Sequence, residues 1–81
     1  MYVVRFSFPD RDASFKVFEA RPDAVRWFEG AEFVISEKGS EAVAALFEVP
    51  AENDARSAID AVKAGQATIL DLYPAEAGEN A

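Results

Sequence analysis

The sequence has no cysteine and no histidine. Without cysteine there is no disulfide and no thiolate metal site. Without histidine the usual general base, the commonest metal ligand and the usual pH switch are all missing. Any catalysis must run on Asp, Glu, Lys, Tyr, Ser or Arg, and no cofactor is expected. Cations are scarce too: 8 Lys and Arg stand against 15 Asp and Glu, a net charge of −7. No basic patch is interleaved with aromatics, which argues against nucleic acid, and the acidity argues against an anionic membrane surface. No run approaches the ~20 apolar residues of a membrane span. Residues 1–9 are too short for a signal segment and are broken by Arg5 and Pro9, so the chain is expected to be cytoplasmic.

What is present is apolar mass. Hydrophobic residues make up 51% of the 81, with seven Phe and one Trp, which is too apolar for disorder despite the charge. The length suits a single α+β domain over residues 1–74, with an acidic tail, 75–81, expected to be disordered. A chain this size buries only roughly 60% of its unfolded surface. Stability must come from packing, or from packing plus a second copy of the chain.

Tyr2, Val4, Phe6 and Phe8 alternate with Val3, Arg5 and Ser7, which predicts a half-buried strand ended by Pro9. Residues 13–21 read two ways. With Asp12 as cap and Phe15, Phe18, Val25 and Phe28 near one face, they predict a helix. With Pro9-Asp10-Arg11-Asp12 as a turn, Phe15 to Phe18 pair back on the first strand as a hairpin. Pro22 and Asp23 then suit a helix start, and Gly30 a helix end. Residues 32–37 predict a strand with Phe33 and Ile35 inward, and Lys38-Gly39 a turn. Residues 42–49 predict a strand, with a helix from Ser40 as the alternative because three Ala are poor strand formers. Asn53 or Asp54 caps a helix with Ala55, Ala58, Ile59 and Val62 on one side, and Gly65 ends it. Residues 68–73 predict the last strand. The order is βαββαβ, a ferredoxin-like two-layer sandwich with helices on one face of an antiparallel sheet, or ββαββαβ with a hairpin start.

No motif rises to catalysis. Asp10 to Ser14 opens like a calcium loop, but Phe15 stands where Gly is needed and Arg21 where the bidentate Glu is needed. Lys38, Gly39 and Ser40 lack the long glycine-spaced cradle of a phosphate loop. The serines have no nucleophile elbow and no histidine. The carboxylate pairs Asp10/Asp12, Glu29/Glu32, Glu37/Glu41 and Glu52/Asp54 fall in turns or element ends, where water keeps both partners ionised. Asp71 sits within the last apolar strand and is expected on the solvent face or paired with Arg5. Trp27 does not share the Phe28 face cleanly and suits a core edge, an interface or a ligand platform.

The uncovered sheet face is the functional lead. Alternation assigns it Val3, Arg5, Val34, Ala44, Leu46, Ile69, Asp71 and Tyr73, a mixed surface with a substantial apolar share that a second copy or a ligand would cover. Met1-Tyr2-Val3-Val4 followed by Arg21-Pro22-Asp23-Ala24-Val25-Arg26-Trp27 resembles the opening of the YCII-related proteins. That resemblance implies a ferredoxin-like fold and a dimer. The family's histidine position holds Ala24, so its acid–base function is not implied. The first expectation is a non-catalytic accessory or interaction module, a homodimer or partner binder through the open sheet face. The alternatives are a small-molecule binder or histidine-independent enzyme with a cleft formed by Arg5, Asp71, Tyr73 and Trp27, and an acidic neutraliser of a basic partner.

Overall fold

The structure, a computed structural model, describes residues 1–38, 41–50 and 54–74. Six elements follow in order: β1 (Tyr2–Phe8), β2 (Arg11–Phe18), α1 (Arg21–Lys38), β3 (Val43–Glu48), α2 (Ala55–Lys63) and β4 (Thr68–Tyr73). The α+β class holds, with one four-stranded antiparallel sheet and two helices. The strands run β2-β1-β3-β4, so β1 and β3 are central, roughly as in the ferredoxin-like plait.

Two elements differ from the first reading. Residues 13–18 are not a helix: β1 turns at Pro9-Asp10 and β2 pairs back on it, Val3 opposite Val17 and Arg5 opposite Phe15. The hairpin alternative is the one that forms, because it gives β1 a second ladder and places aromatic side chains on both faces of β2. Residues 32–37 are not a strand but the last turns of α1, which runs straight through Gly30. The reason lies in the buried set Ala24, Phe28, Ala31 and Ile35. Its spacing of four, three and four residues is a helical stripe, and it outweighs both the local β propensity of Phe33, Val34 and Ile35 and the helix-ending tendency of Gly30.

The helices lie on opposite faces of the sheet, not on one. Beneath α1, Ala24, Phe28, Ala31 and Ile35 pack with Val4, Ala44 and Leu46. Beneath α2, Ala58 and Val62 pack with Val3, Ala45 and Phe47. The central strands explain this. Val3 and Val4 are both buried, and so is the run Ala44-Ala45-Leu46-Phe47. Consecutive buried residues are the mark of a strand covered on both sides. β3 is a strand despite its alanines, because small side chains let helices approach both faces.

Local chemistry fixes the ends of α2. Asp54 is extended at φ −88° and ψ 179°, and its Oδ1 accepts a 2.8 Å hydrogen bond from the Ser57 backbone N–H. Gly65 follows the helix at φ +74°, a left-handed conformation that suits glycine. The expected turn at Gly39, the helix start at Ser40, the alternative cap Asn53 and the acidic tail 75–81 lie outside the described residues.

Candidate functional site

The eight residues assigned to a common surface do not come together. Val3 and Ile69 lie on the α2 side of the sheet, since Val3 packs in that core and Ile69 stands opposite Phe47. Arg5 is on the same side, its guanidinium 5.0 Å from the Phe47 ring centroid. Ala44, Leu46 and Tyr73 pack in the opposite core, and Asp71 stands opposite Leu46. Val34 and Trp27 belong to α1. Of the two readings for Asp71, the solvent-facing one forms; the pair with Arg5 is not made, because the sheet separates them. Asp71 is exposed, and its Oδ1 accepts a 2.8 Å hydrogen bond from the Leu72 backbone N–H. Among the described residues the buried Nε of Arg5 has no hydrogen-bond partner, and its guanidinium lies over the Phe47 ring.

The α1 side holds what the molecule leaves uncovered. Among the described residues four large apolar side chains are exposed, and three are on α1: Trp27 at 42%, Phe33 at 64% and Val34 at 44%. Trp27 and Val34 are one heptad apart and so share a flank of the helix beside its buried stripe. That flank borders a groove of about 610 Å³. Phe6 of β1 and Phe18 of β2 form the sheet wall; Trp27, Ala31 and Val34 form the helix wall; Asp23 and Arg26 supply the charge. The Phe18 and Trp27 rings stand 6.5 Å apart at 50°, a tilted aromatic contact that anchors the indole at the mouth. Behind Trp27 is a smaller hollow of about 300 Å³ bounded by Val4, Ser14, Phe15 and Lys16.

Gly30 opens the helix wall. It sits mid-helix, where glycine costs roughly 1 kcal/mol against alanine, yet nothing lies within 4 Å of where a Cβ would stand. No packing neighbour among the described residues requires its small size. The sequence reading took Gly30 for a helix end and Phe33 for core, and so missed both. The helical spacing of Ala24, Phe28, Ala31 and Ile35 is the signal that would have placed them.

The carboxylates offer electrostatic strain more than chemistry. Partial burial raises the Glu32 carboxyl above its ordinary value, and the neighbouring Asp71 and Glu29 carboxylates push the same way. Among the described residues no group of His, Cys, Asp and Glu is placed to hold a metal ion, and no helix is long and apolar enough to cross a membrane.

No family model matches the chain, and neither a curated protein nor a solved structure matches it. The resemblance of residues 1–4 and 21–27 to the YCII-related proteins therefore carries no argument about family or assembly.

Proposed function

We propose that this chain is a cytoplasmic, non-catalytic binding module that takes an apolar group of a partner protein along the outer flank of α1. The observation that carries the reading is the concentration of exposed apolar side chains on one helix, beside a groove walled by aromatic rings. Exposed apolar patches on a small domain mark interaction surfaces. Trp, with a large apolar body and one polar atom, is enriched at binding hot spots. The docking face thus moves from the sheet, which has a helix on each side, to the helix. The reading involves no bond-making step: the groove's ionisable side chains are Asp23 and Arg26, both exposed to water.

The test uses the single tryptophan as reporter. Titration with a neutral apolar dye such as Nile red is expected to quench Trp27 emission and to shift the amide resonances of Phe6, Phe18, Trp27 and Val34 together. Val34→Glu is expected to weaken the dye roughly tenfold by placing a charge on the apolar wall. Shifts scattered evenly over the molecule, or dye binding indifferent to Val34→Glu, would remove the groove from consideration.

The groove's volume also falls within the range of small-molecule sites, about 300–1,000 Å³. A metabolite that saturates at the same residues and displaces the dye would replace the protein partner with a small amphipathic ligand.

A further inference from the structure

We propose that the partner on the outer face of α1 is a second copy of the same helix, packed antiparallel about a twofold axis, with Phe33 of each protomer seated over Gly30 of the other and Arg26 of each facing Glu37 of the other. This rests on the binding reading above and names its occupant.

The argument starts from spacing. Asp23, Arg26, Gly30, Phe33 and Glu37 advance by three and four residues alternately, and all five are exposed. That step keeps them in one row along a helix face. The row lies on the outer side of α1, away from the buried Ala24, Phe28, Ala31 and Ile35. At its middle, the most exposed large apolar side chain of the described residues, Phe33, stands one turn from Gly30, where the space is open. A knob and a hole of this kind are mutually complementary only if the second helix runs the other way. Turned about an axis between Ala31 and Glu32, Phe33 falls opposite Gly30.

The same axis also brings Arg26 opposite Glu37. The two pairs share one centre, so a single placement satisfies both, and symmetry makes each contact twice. Neither Arg26 nor Glu37 has an ion-pair partner within the protomer among the described residues. Trp27 and Val34 follow Arg26 and Phe33 by one residue, on the groove side of the row, where they flank the contact. An antiparallel pair also sets the helix dipoles against each other favourably. Dimerising through the α2 side of the sheet has no such match: a twofold near Arg5 would bring two guanidinium groups together.

One helix pair buries less than the roughly 1,600 Å² of a standard interface, so the dimer is expected to be concentration-dependent. Sedimentation equilibrium on the full chain should show a reversible monomer–dimer system weakened by salt. Arg26→Glu and Glu37→Arg should each raise the dissociation constant roughly tenfold or more through like-charge contact. The double variant Arg26→Glu/Glu37→Arg should recover most of the loss. Phe33→Glu should abolish the dimer in the wild-type and charge-swapped backgrounds alike. A wild-type chain that stays monomeric at high concentration overturns the proposal, as does a double variant no tighter than the singles. Circular dichroism confirms that each variant is folded. The groove reading fails separately: a monomeric chain that still binds dye at Trp27 and Val34 keeps that reading and loses only the second copy.

Discussion

The two faces of the sheet are built unequally. Under α1, an 18-residue helix about 27 Å long, the core holds Phe28, Val4, Ile35 and Leu46, with Tyr2, Phe6, Phe8, Phe18 and Tyr73 packed around it. Under α2, 9 residues and about 13 Å, the core holds Val3, Phe47, Val49 and Val62 with two alanines. The short helix is apolar on one side; Asp54 caps its start and the left-handed Gly65 follows its end. The long helix is apolar on its inner stripe and again on its outer flank. Covering a core explains all of α2 and half of α1. The outer flank of α1, with Trp27, Phe33 and Val34, is left exposed.

Substitutions can break or sharpen that contrast. The largest effect is expected from Phe28→Ala, about 3–5 kcal/mol of stability lost, a large share of the roughly 4–12 kcal/mol available to a domain of this length. Val62→Ala, in the smaller core, should cost roughly 2 kcal/mol. Denaturant midpoints compare the two, and a Val62→Ala cost equal to that of Phe28→Ala, with far fewer atoms removed, would place the more sensitive core under α2.

Asp54→Ala should lower the thermal midpoint by less than Val62→Ala does, and Asp54→Ser should restore most of the loss. The Ser57 backbone N–H, donating to the carboxylate, holds Asp54 below its ordinary value. Its contribution is therefore present above the unfolded value of 3.8 and lost as pH falls through the lower folded value. A wild-type to Asp54→Ala difference that grows on acidification would contradict this.

Glu32→Gln should stabilise slightly, by a few tenths of a kcal/mol. The folded-state carboxyl of Glu32 is raised above 4.5, so its ionisation opposes folding at neutral pH. The gain should shrink as pH falls through the folded value towards 4.5 and below. Smallest of all, Phe33→Ser should leave the stability of the dilute protomer within about 0.5 kcal/mol, since an exposed side chain away from a core contributes little. A large loss there would place Phe33 in the core of the protomer and end the distinction between the two sides of α1.

Local signals in the sequence were accurate where one force acted alone. The alternation of β1, the Asp54 cap, the Gly65 stop and the limits of β4 were legible because each depends on residues adjacent in the chain. Residues 32–37 were misread because Phe33, Val34 and Ile35 form a short apolar run of high β propensity. Only the longer stripe from Ala24 to Ile35 separates a helix from a strand there. The candidate surface was misplaced for a related reason. Val3, Arg5 and Ile69 on one face and Leu46, Asp71 and Tyr73 on the other cannot be sorted without the register of β3 against β4, which carries an irregularity between Leu46 and Phe47. That irregularity puts Asp71 opposite Leu46 and Ile69 opposite Phe47, a shift that strict alternation does not anticipate.

Composition by itself determined that the chemistry is free of thiol and imidazole, that the chain is acidic, and that there is enough apolar mass for one small α+β domain. These follow from counting, and no arrangement of the chain can change them. Tertiary structure decided which apolar residues are core. Burial is a property of pairing and packing, and two helices closing on opposite faces take up Val3 with Val4 and Ala44 through Phe47, while Trp27, Phe33 and Val34 are left in water. The same residue types stand in both sets. What separates them is the side of α1 that meets the sheet, and that was settled by the stripe of Ala24, Phe28, Ala31 and Ile35 packing against β1 and β3.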